Sequence, residues 1–302
     1  MDFTLTSDQR ATTQAAESLL TRHAGRERAR KMRDTHDDEL LALLTESGYL
    51  DLATDPDAGP LEAALVTEAA ARQLAAVNIG ARGLVAPLVL GETPTGRVAL
   101  ASSSHPGPVR FGRDAQLVLV LDGADVRVLR PVVGSARPVA TGYIAPYAEL
   151  DLAGGRTLPG AGAALARWWR VALAAELAGL LQAGLDLTVE YLKQREQFGR
   201  PLGSLQALQH RLSEAYVWVE GTRWAARAAA WHGDDESAAT AATYATMAAR
   251  AVAPDLHQLS GAISMTEEYD LHLWTMRAQA ARTELGGIGE HARAVTQLRW
   301  DG

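Results

Sequence analysis

Residues 191–210, YLKQREQFGRPLGSLQALQH, interrupt an alanine-rich helical segment with a cluster of Arg, Gln, Phe and Gly side chains. Pro201 and Gly203 prevent a helix from resuming at once, and Ser204 is a good N-cap, so the next helix is expected to start there. Arg195 at this corner can bind a phosphate beside the N-terminus of the following helix. It can equally cover carbonyl groups at the end of its own helix. The stretch therefore predicts a corner between two helices that is either structural or half of an anion-binding site.

Helical periodicity dominates the chain on both sides of this corner. Helices are predicted over about residues 162–194, 205–232, 236–259 and 270–285. Long antiparallel helices with short connections are typical of a four-helix bundle. We therefore assign residues 160–302 to a C-terminal four-helix bundle.

Residues 1–95 are predicted to form a separate helical domain. Thr6 and Gln9 have the spacing of a capping box, which marks a helix start. Gly48 follows a leucine-rich helical segment as a stop signal, and Pro60 marks the start of a third helix. This region therefore contributes helices before the bundle begins.

Between the two helical regions, residues 96–159 are rich in Val and indicate strands. Asp122 and Gly123 lie between two apolar runs, which is a strong hairpin signal. We expect a small β-domain of five or six short strands. The predicted fold class is therefore α+β, mainly α, with N-terminal helices, a reduced middle β-domain and a C-terminal bundle.

The composition excludes several classes of function. A formal net charge of −7 argues against general nucleic-acid binding. The absence of cysteine excludes disulfides, thiolate metal sites and a Cys nucleophile. The histidines lack metal-ligand spacing, so no metal site is expected. No signal peptide is visible and no uninterrupted apolar run approaches the roughly 18 residues of a membrane span, so we expect a cytoplasmic protein without a membrane segment.

Two stretches of the bundle resemble the acyl-CoA dehydrogenase family. Residues 191–215 resemble its Tyr-x₃-Arg-x-Gln-Phe-Gly signature, followed by a Gln on the next helix. QLSGAISMTEEYDLHLWTMRA, which begins at Gln258, resembles its Gln-x-x-Gly-Gly segment. The order of helices, small sheet and bundle resembles the family's as well.

The resemblance implies FAD as cofactor, shared across a subunit interface. Arg195 would contact the flavin pyrophosphate, and the other matching residues would hold the adenine half while the isoalloxazine lies mainly in the neighbouring subunit. The cofactor-binding residues implied in this way are Arg195, Gln197, Phe198, Gln206, Gln258 and Gly261.

The chain also departs from the family pattern. Gly261 is followed by Ala262 instead of a second Gly, and Ser264 stands at the next Gly position. A Thr-Glu-Pro-like segment, which in the family bonds the flavin ring, is missing from the middle region. These departures predict a truncated flavin-ring pocket within this chain.

The third departure from the family pattern is the lack of a carboxylate at the positions of the catalytic base. Removing the α-proton of an acyl thioester needs a carboxylate in a water-poor pocket. The two family positions for this base fall near positions 285 and 286 and at Trp169, and neither is a carboxylate. Glu284 is adjacent, but one residue along a helix rotates a side chain by about 100°. Glu176 lies in an apolar helix, where an ion pair with an Arg of a neighbouring helix competes with a functional role. We therefore assign no catalytic residue and keep Glu284 and Glu176 as candidates.

These features together resemble the shortened subunit of actinobacterial heteromeric, α₂β₂ acyl-CoA dehydrogenases that act on steroid-derived acyl-CoA thioesters. The resemblance implies a full-length acyl-CoA dehydrogenase paralogue as partner, an acyl-CoA substrate and an electron-accepting flavoprotein as a further candidate partner. Two alternatives stay open. One is a self-sufficient homomeric enzyme with a displaced Glu base, and the other is a scaffold or acyl-binding protein without FAD.

Overall fold

The computed structural model describes residues 4–300, and these begin with a group of short helices. The predicted capping box is present, because Thr6 N donates to Gln9 Oε1 at 2.9 Å and Gln9 N donates to Thr6 Oγ1 at 3.2 Å. Pro60 opens a helix as expected, but this helix is the fourth and not the third, because the short helix Arg26–Lys31 was not predicted. The helices are α1 Ser7–His23, α2 Arg26–Lys31, α3 Asp38–Glu46, α4 Pro60–Arg72 and α5 Ala86–Leu90, with a π-helical turn Gly80–Val85 before α5.

The middle region contains seven short strands in two sheets, one or two more than the sequence predicts. The first sheet has the order β1-β3-β4-β7, and the second has the order β2-β6-β5. Asp122 pairs with Asp125 at the predicted hairpin between β3 and β4. The strands are β1 Val98–Ser102, β2 Val109–Arg110, β3 Leu117–Asp122, β4 Asp125–Leu129, β5 Arg137–Val139, β6 Tyr147–Glu149 and β7 Arg156–Leu158.

The C-terminal region contains the predicted bundle and one further helix. The last predicted helix was expected to reach residue 285 but ends at Ala281, and a fifth helix follows it. The chain turns between the two because Leu285 has a φ of 52° and Gly286 and Gly287 have φ values of 80° and 69°. The helices are α6 Gly162–Gln194, α7 Gln206–His232, α8 Asp235–Ser260, α9 Leu271–Ala281 and α10 Gly287–Trp300.

Helix α6 forms the centre of the molecule. Gly179 permits its close contact with α4, because a Cβ atom there would lie 2.1 Å from the carbonyl oxygen of Glu68. By length and composition α6 could span a membrane, but 72% of its most apolar window is buried against the rest of the protein. That burial is typical of the core helix of a globular fold.

The predicted N-cap at Ser204 is wrong. Residues Leu202–Ser204 form a 3₁₀ turn, and α7 begins at Gln206 with Leu205 as its N-cap. The Ser204 hydroxyl instead donates to the carbonyl of Pro201 at 2.7 Å. The α7 N-terminus therefore has no side-chain cap.

Arg277 on α9 joins the three regions. Its buried guanidinium donates to the carbonyl of Ile144 in the middle region and to that of Ala75 in the N-terminal region, both at 2.9 Å. Burial lowers the pKa of Arg277 to about 10. These contacts hold the middle region and the N-terminal region against α9.

Candidate functional site

The Gln-Phe-Gly corner is a tight hairpin at one end of the bundle. Strands β8 Glu196–Gln197 and β9 Arg200–Pro201 pair in antiparallel fashion, with Gln197 opposite Arg200. Phe198 and Gly199 have φ values of 57° and 75°, and positive φ at both central residues is the mark of a type I′ turn. Such a conformation is strained for Phe, and the Phe198 side chain is 86% exposed. Neither backbone preference nor burial explains an aromatic residue at this position.

The polar residues predicted to hold a cofactor lie exposed around this hairpin. Arg195, Gln197, Gln206 and Gln258 are all exposed. Within residues 4–300, none of the four side chains has a hydrogen-bond or ion-pair partner. Their donors and acceptors are therefore available to a ligand or a partner.

The fold brings the two motif segments to the same end of the bundle. The end of α6, the start of α7 and the end of α8 meet there because consecutive helices are antiparallel. Arg211 on α7 forms an ion pair with Asp255 on α8. The Tyr191 and Tyr269 rings are 5.2 Å apart, and the Tyr269 hydroxyl donates to the carbonyl of Leu187. These contacts hold the segment after α8 against the end of α6.

Gly261 ends α8 in a conformation that favours glycine, with φ 73° and ψ −156°. A Cβ atom at Gly261 would find no heavy atom within 4 Å, so its surroundings are open. Ala262 is exposed, and the buried Ser264 hydroxyl donates a hydrogen bond to the carbonyl of Gly261 at 2.8 Å. The two departures from the family pattern therefore leave the space at Gly261 unfilled.

The second candidate region is the cleft between the sheets and the bundle, which is crossed by a buried arginine. Arg110 of β2 donates from Nη1 and Nη2 to Glu176 at 2.6 and 2.8 Å, and from Nε to Glu284 at 2.5 Å. Burial opposes the charged guanidinium, but the Glu176 and Glu284 carboxylates hold the pKa of Arg110 well above its usual value. The expected partner of Glu176 was an Arg from a neighbouring helix. It comes from a strand instead.

Glu284 faces the cleft, contrary to the expectation from helical rotation. The prediction fails because Glu284–Gly286 is a 3₁₀ turn that contains the left-handed Leu285. The Trp169 indole donates to the second Glu284 oxygen at 2.6 Å, so both carboxylate oxygens accept a hydrogen bond within the chain. Glu284 and Trp169 line a cavity of about 270 Å³ together with Ser102 and Tyr147.

Sequence patterns gave no sign of Arg110, since its role depends on the packing of a two-residue strand against α6. Trp169 is 5% exposed and fills the core beside the cleft. Among residues 4–300, no cluster of three or more metal-ligating side chains is present. The described residues thus contain two candidate sites: an exposed one at the end of the bundle, and the cleft, whose polar side chains pair with one another.

Comparisons with known proteins identify the bundle. Residues 163–297 match the acyl-CoA dehydrogenase C-terminal domain. Acyl-CoA dehydrogenase IpdE2 of Mycobacterium tuberculosis is 39% identical over 131 residues, which is 43% of this chain and 41% of that protein. Acyl-CoA dehydrogenase FadE34 of the same organism is 35% identical over 220 residues, 68% of this chain and 30% of that protein. The matched segments therefore span less than half the length of these relatives.

Solved structures share the whole fold. A chain of the ChsE4–ChsE5 complex from Mycobacterium tuberculosis aligns with a TM-score of 0.85 and 24% identity over 99% of both chains. A chain of the Tcur3481–Tcur3483 steroid acyl-CoA dehydrogenase aligns with a TM-score of 0.84 and 24% identity over 98% of both. Butyryl-CoA dehydrogenase from Megasphaera elsdenii aligns with a TM-score of 0.82 and 19% identity over 99% of both.

Proposed function

Because residues 163–297 form an acyl-CoA dehydrogenase C-terminal domain in a chain that has the acyl-CoA dehydrogenase fold, we propose that this protein is the FAD-sharing subunit of a heteromeric acyl-CoA dehydrogenase. In this proposal it holds the adenine and pyrophosphate half of FAD at one end of the bundle. This surface, formed by residues 195–206 and 258–261, is called the bundle end below. A partner subunit supplies the flavin-ring pocket and the catalytic base.

The proposal rests on exposed polar side chains at the bundle end that have no partner among the described residues. Arg195 and three glutamines are exposed and unpartnered within residues 4–300, beside a strained, exposed Phe198. Backbone strain of this kind persists where the surrounding structure or a function requires it. A ligand diphosphate and the face of a partner subunit would use these groups.

The residues fit the diphosphate half of FAD. Arg195 offers charge-assisted, bidentate hydrogen bonds to phosphate oxygens, and the uncapped N-terminus of α7 favours an anion nearby. Gln206 and Gln258 can orient the adenine half, and open space at Gly261 lets a ligand approach the backbone. When bound, FAD would supply the acceptor for the hydride that leaves the β-carbon of the acyl group.

The cleft fits the flavin ring poorly. Arg110 crosses it and occupies both oxygens of Glu176, and Glu284 is bonded from two sides. The cavity of about 270 Å³ is at the lower limit of the roughly 300–1,000 Å³ of ordinary ligand pockets. We therefore assign α-proton removal to a carboxylate of the partner and not to Glu284 or Glu176.

The partner in this proposal is a full-length acyl-CoA dehydrogenase paralogue in an α₂β₂ assembly. The ChsE4–ChsE5 complex and the Tcur3481–Tcur3483 steroid acyl-CoA dehydrogenase, whose names each join two components, support that choice. The latter is a steroid acyl-CoA dehydrogenase, which favours a steroid-derived acyl-CoA as substrate. We further propose a cytoplasmic location and an electron-transferring flavoprotein as acceptor.

The test is co-expression with a full-length paralogue. Arg195→Ala should weaken FAD binding in the purified complex about 10- to 100-fold, because hydrogen bonds to charged groups contribute about 1.5–3 kcal/mol each. The thermal melting of the isolated chain should stay unchanged. Equal FAD occupancy in the variant and parent complexes would remove the main site assignment.

A second candidate is a self-sufficient enzyme with Glu284 as base, which the position of Glu284 in the cleft cavity favours. The isolated chain would then purify with near-stoichiometric FAD that is reduced by an acyl-CoA, and Glu284→Gln would abolish the reduction. Such a result would exclude the shared-site proposal. Co-expression that gives neither a complex nor bound flavin would favour a scaffold or acyl-binding protein.

A further inference from the structure

We propose that Arg200 is a second cation of the bundle-end site, so that the site binds a dinucleotide diphosphate between two guanidinium groups. This inference deepens the proposed function and rests on it. The sequence motif draws attention to Arg195, Gln197 and Phe198, whereas Arg200 emerges only from the strand pairing.

The register of the hairpin carries the inference. Gln197 and Arg200 are directly paired across β8 and β9, and opposite residues of an antiparallel pair project to the same face. Arg195 precedes Gln197 by two positions in extended backbone, with φ −77° and ψ 117°, so it projects to that face as well. The hydrogen bond from Leu202 N to the Arg195 carbonyl, 2.8 Å, extends the pairing to this level.

Arg195 and Arg200 are therefore diagonal neighbours on one face of a two-stranded ribbon. Diagonal neighbours are about 7–8 Å apart, within reach of long side chains that converge on one ligand. Glu196 alternates to the opposite face, so the acidic residue of the hairpin does not lie between the two guanidinium groups.

Neither arginine is used elsewhere in the fold. Both are exposed, and within residues 4–300 neither side chain has a hydrogen-bond or ion-pair partner. Two like charges on one face repel one another, and an anion between them would offset that repulsion. The short turn through Phe198 and Gly199 fixes the pairing that places them together.

Two cations on one face favour two linked phosphates over one. The bundle end should therefore prefer a diphosphate, as in FAD or ADP, to a monophosphate such as FMN or AMP. This preference separates a contact to the diphosphate from a general basic patch.

The experiment uses the complex co-expressed with a full-length paralogue and stripped of flavin. FAD rebinding is followed by flavin fluorescence, with ADP and AMP as competitors. In the parent complex ADP should compete at lower concentration than AMP. Arg200→Gln should weaken FAD binding about tenfold and bring ADP towards AMP, whereas Arg200→Lys should keep part of the preference.

Arg130→Gln is the matched control, because Arg130 is exposed and unpartnered within the described residues but lies in the middle region. Melting curves check that each variant folds. If Arg195→Gln weakens FAD binding while Arg200→Gln changes neither the affinity nor the ADP-to-AMP ratio, the second cation is wrong and the shared site survives. If neither variant changes binding, the shared site is wrong too.

Discussion

The bundle end and the cleft between the sheets and the bundle use the same kinds of side chain in opposite ways. In the cleft, Arg110, Glu176, Glu284 and Trp169 satisfy one another and are largely buried. At the bundle end, the side chains of Arg195, Gln197, Gln206 and Gln258 are exposed and have no partner within residues 4–300. Polar groups that pair internally stabilise one arrangement of the chain, whereas unpaired groups remain available to an outside molecule. The cleft is therefore expected to matter for stability and the bundle end for binding.

The largest expected effect is on the stability of the cleft. Arg110→Met would leave Glu176 and Glu284 buried without their cation, and removing one partner of a buried ion pair costs about 3–5 kcal/mol. Urea denaturation of the isolated chain measures this loss. Arg130→Met serves as the exposed control and should change stability by less than about 0.5 kcal/mol. Similar midpoints for the two variants would break the contrast between the regions.

Acid should lower the stability of the folded protein through a buried histidine. Burial, together with the Arg170 guanidinium, lowers the pKa of His291 near the cleft to about 4. The unfolded chain binds this proton near pH 6.5 and the folded chain does not, so stability falls as the pH drops from about 6.5 towards 4. The loss at pH 5 is on the order of 1–2 kcal/mol for this group.

Equilibrium unfolding at several pH values tests this linkage. His291→Leu should make the dependence between pH 6.5 and 5 less steep, and His36, whose pKa burial also lowers to about 4, should maintain the remainder. His210→Leu, a change at an exposed residue of the bundle end, should leave it as in the parent. An unchanged slope in the His291 variant would assign the acid sensitivity to other groups.

A smaller effect than that of Arg110→Met is expected from removing the indole hydrogen bond to Glu284. Trp169→Phe removes the donor at 2.6 Å from the carboxylate while keeping most of the apolar contact. We expect a loss of about 1–3 kcal/mol, since a hydrogen bond to a charged group is removed. Trp231→Phe is the matched control, because that ring is 71% exposed. Equal stability of the two variants would show that Glu284 does not depend on the indole.

The smallest expected change in stability is at the strained turn. Phe198→Asn places a residue that tolerates a left-handed backbone at φ 57°, so the isolated chain should be unchanged or up to about 1 kcal/mol more stable. FAD binding by the complex should nevertheless weaken, because the exposed ring is lost. Phe198→Leu keeps the strain and should not raise stability. A variant that gains stability without losing FAD would mean that the strain serves no ligand.

Local signals in the sequence predicted much of the fold. The capping box at Thr6, the hairpin at Asp122 and the end of α6 at Gln194 are all present. Each depends on residues that are close in sequence, so their chemistry can be recognised without knowing the tertiary packing. Ser204 was misplaced because a 3₁₀ turn, and not the helix itself, follows Pro201.

Contacts between distant residues could not be predicted in this way. The pairing of Arg110 with Glu176 and Glu284 joins positions 66 and 174 residues apart. Their side-chain types carry no information about which of many charged residues lie together. The left-handed backbone of Leu285, which directs Glu284 into the cleft, likewise has no sequence signal in a residue that is usually helical.

The sequence by itself determined the helical bundle and its Gln-Phe-Gly corner, because periodicity and turn residues are local properties. The residues proposed to bind FAD came from the resemblance of two sequence motifs to the acyl-CoA dehydrogenase family. The tertiary structure decided which polar groups are already paired. It closed the cleft with Arg110 and left Arg195 and Arg200 exposed on one face of a hairpin. The reason is that burial and ion pairing depend on which surfaces meet in space, and that follows from the packing of the whole chain.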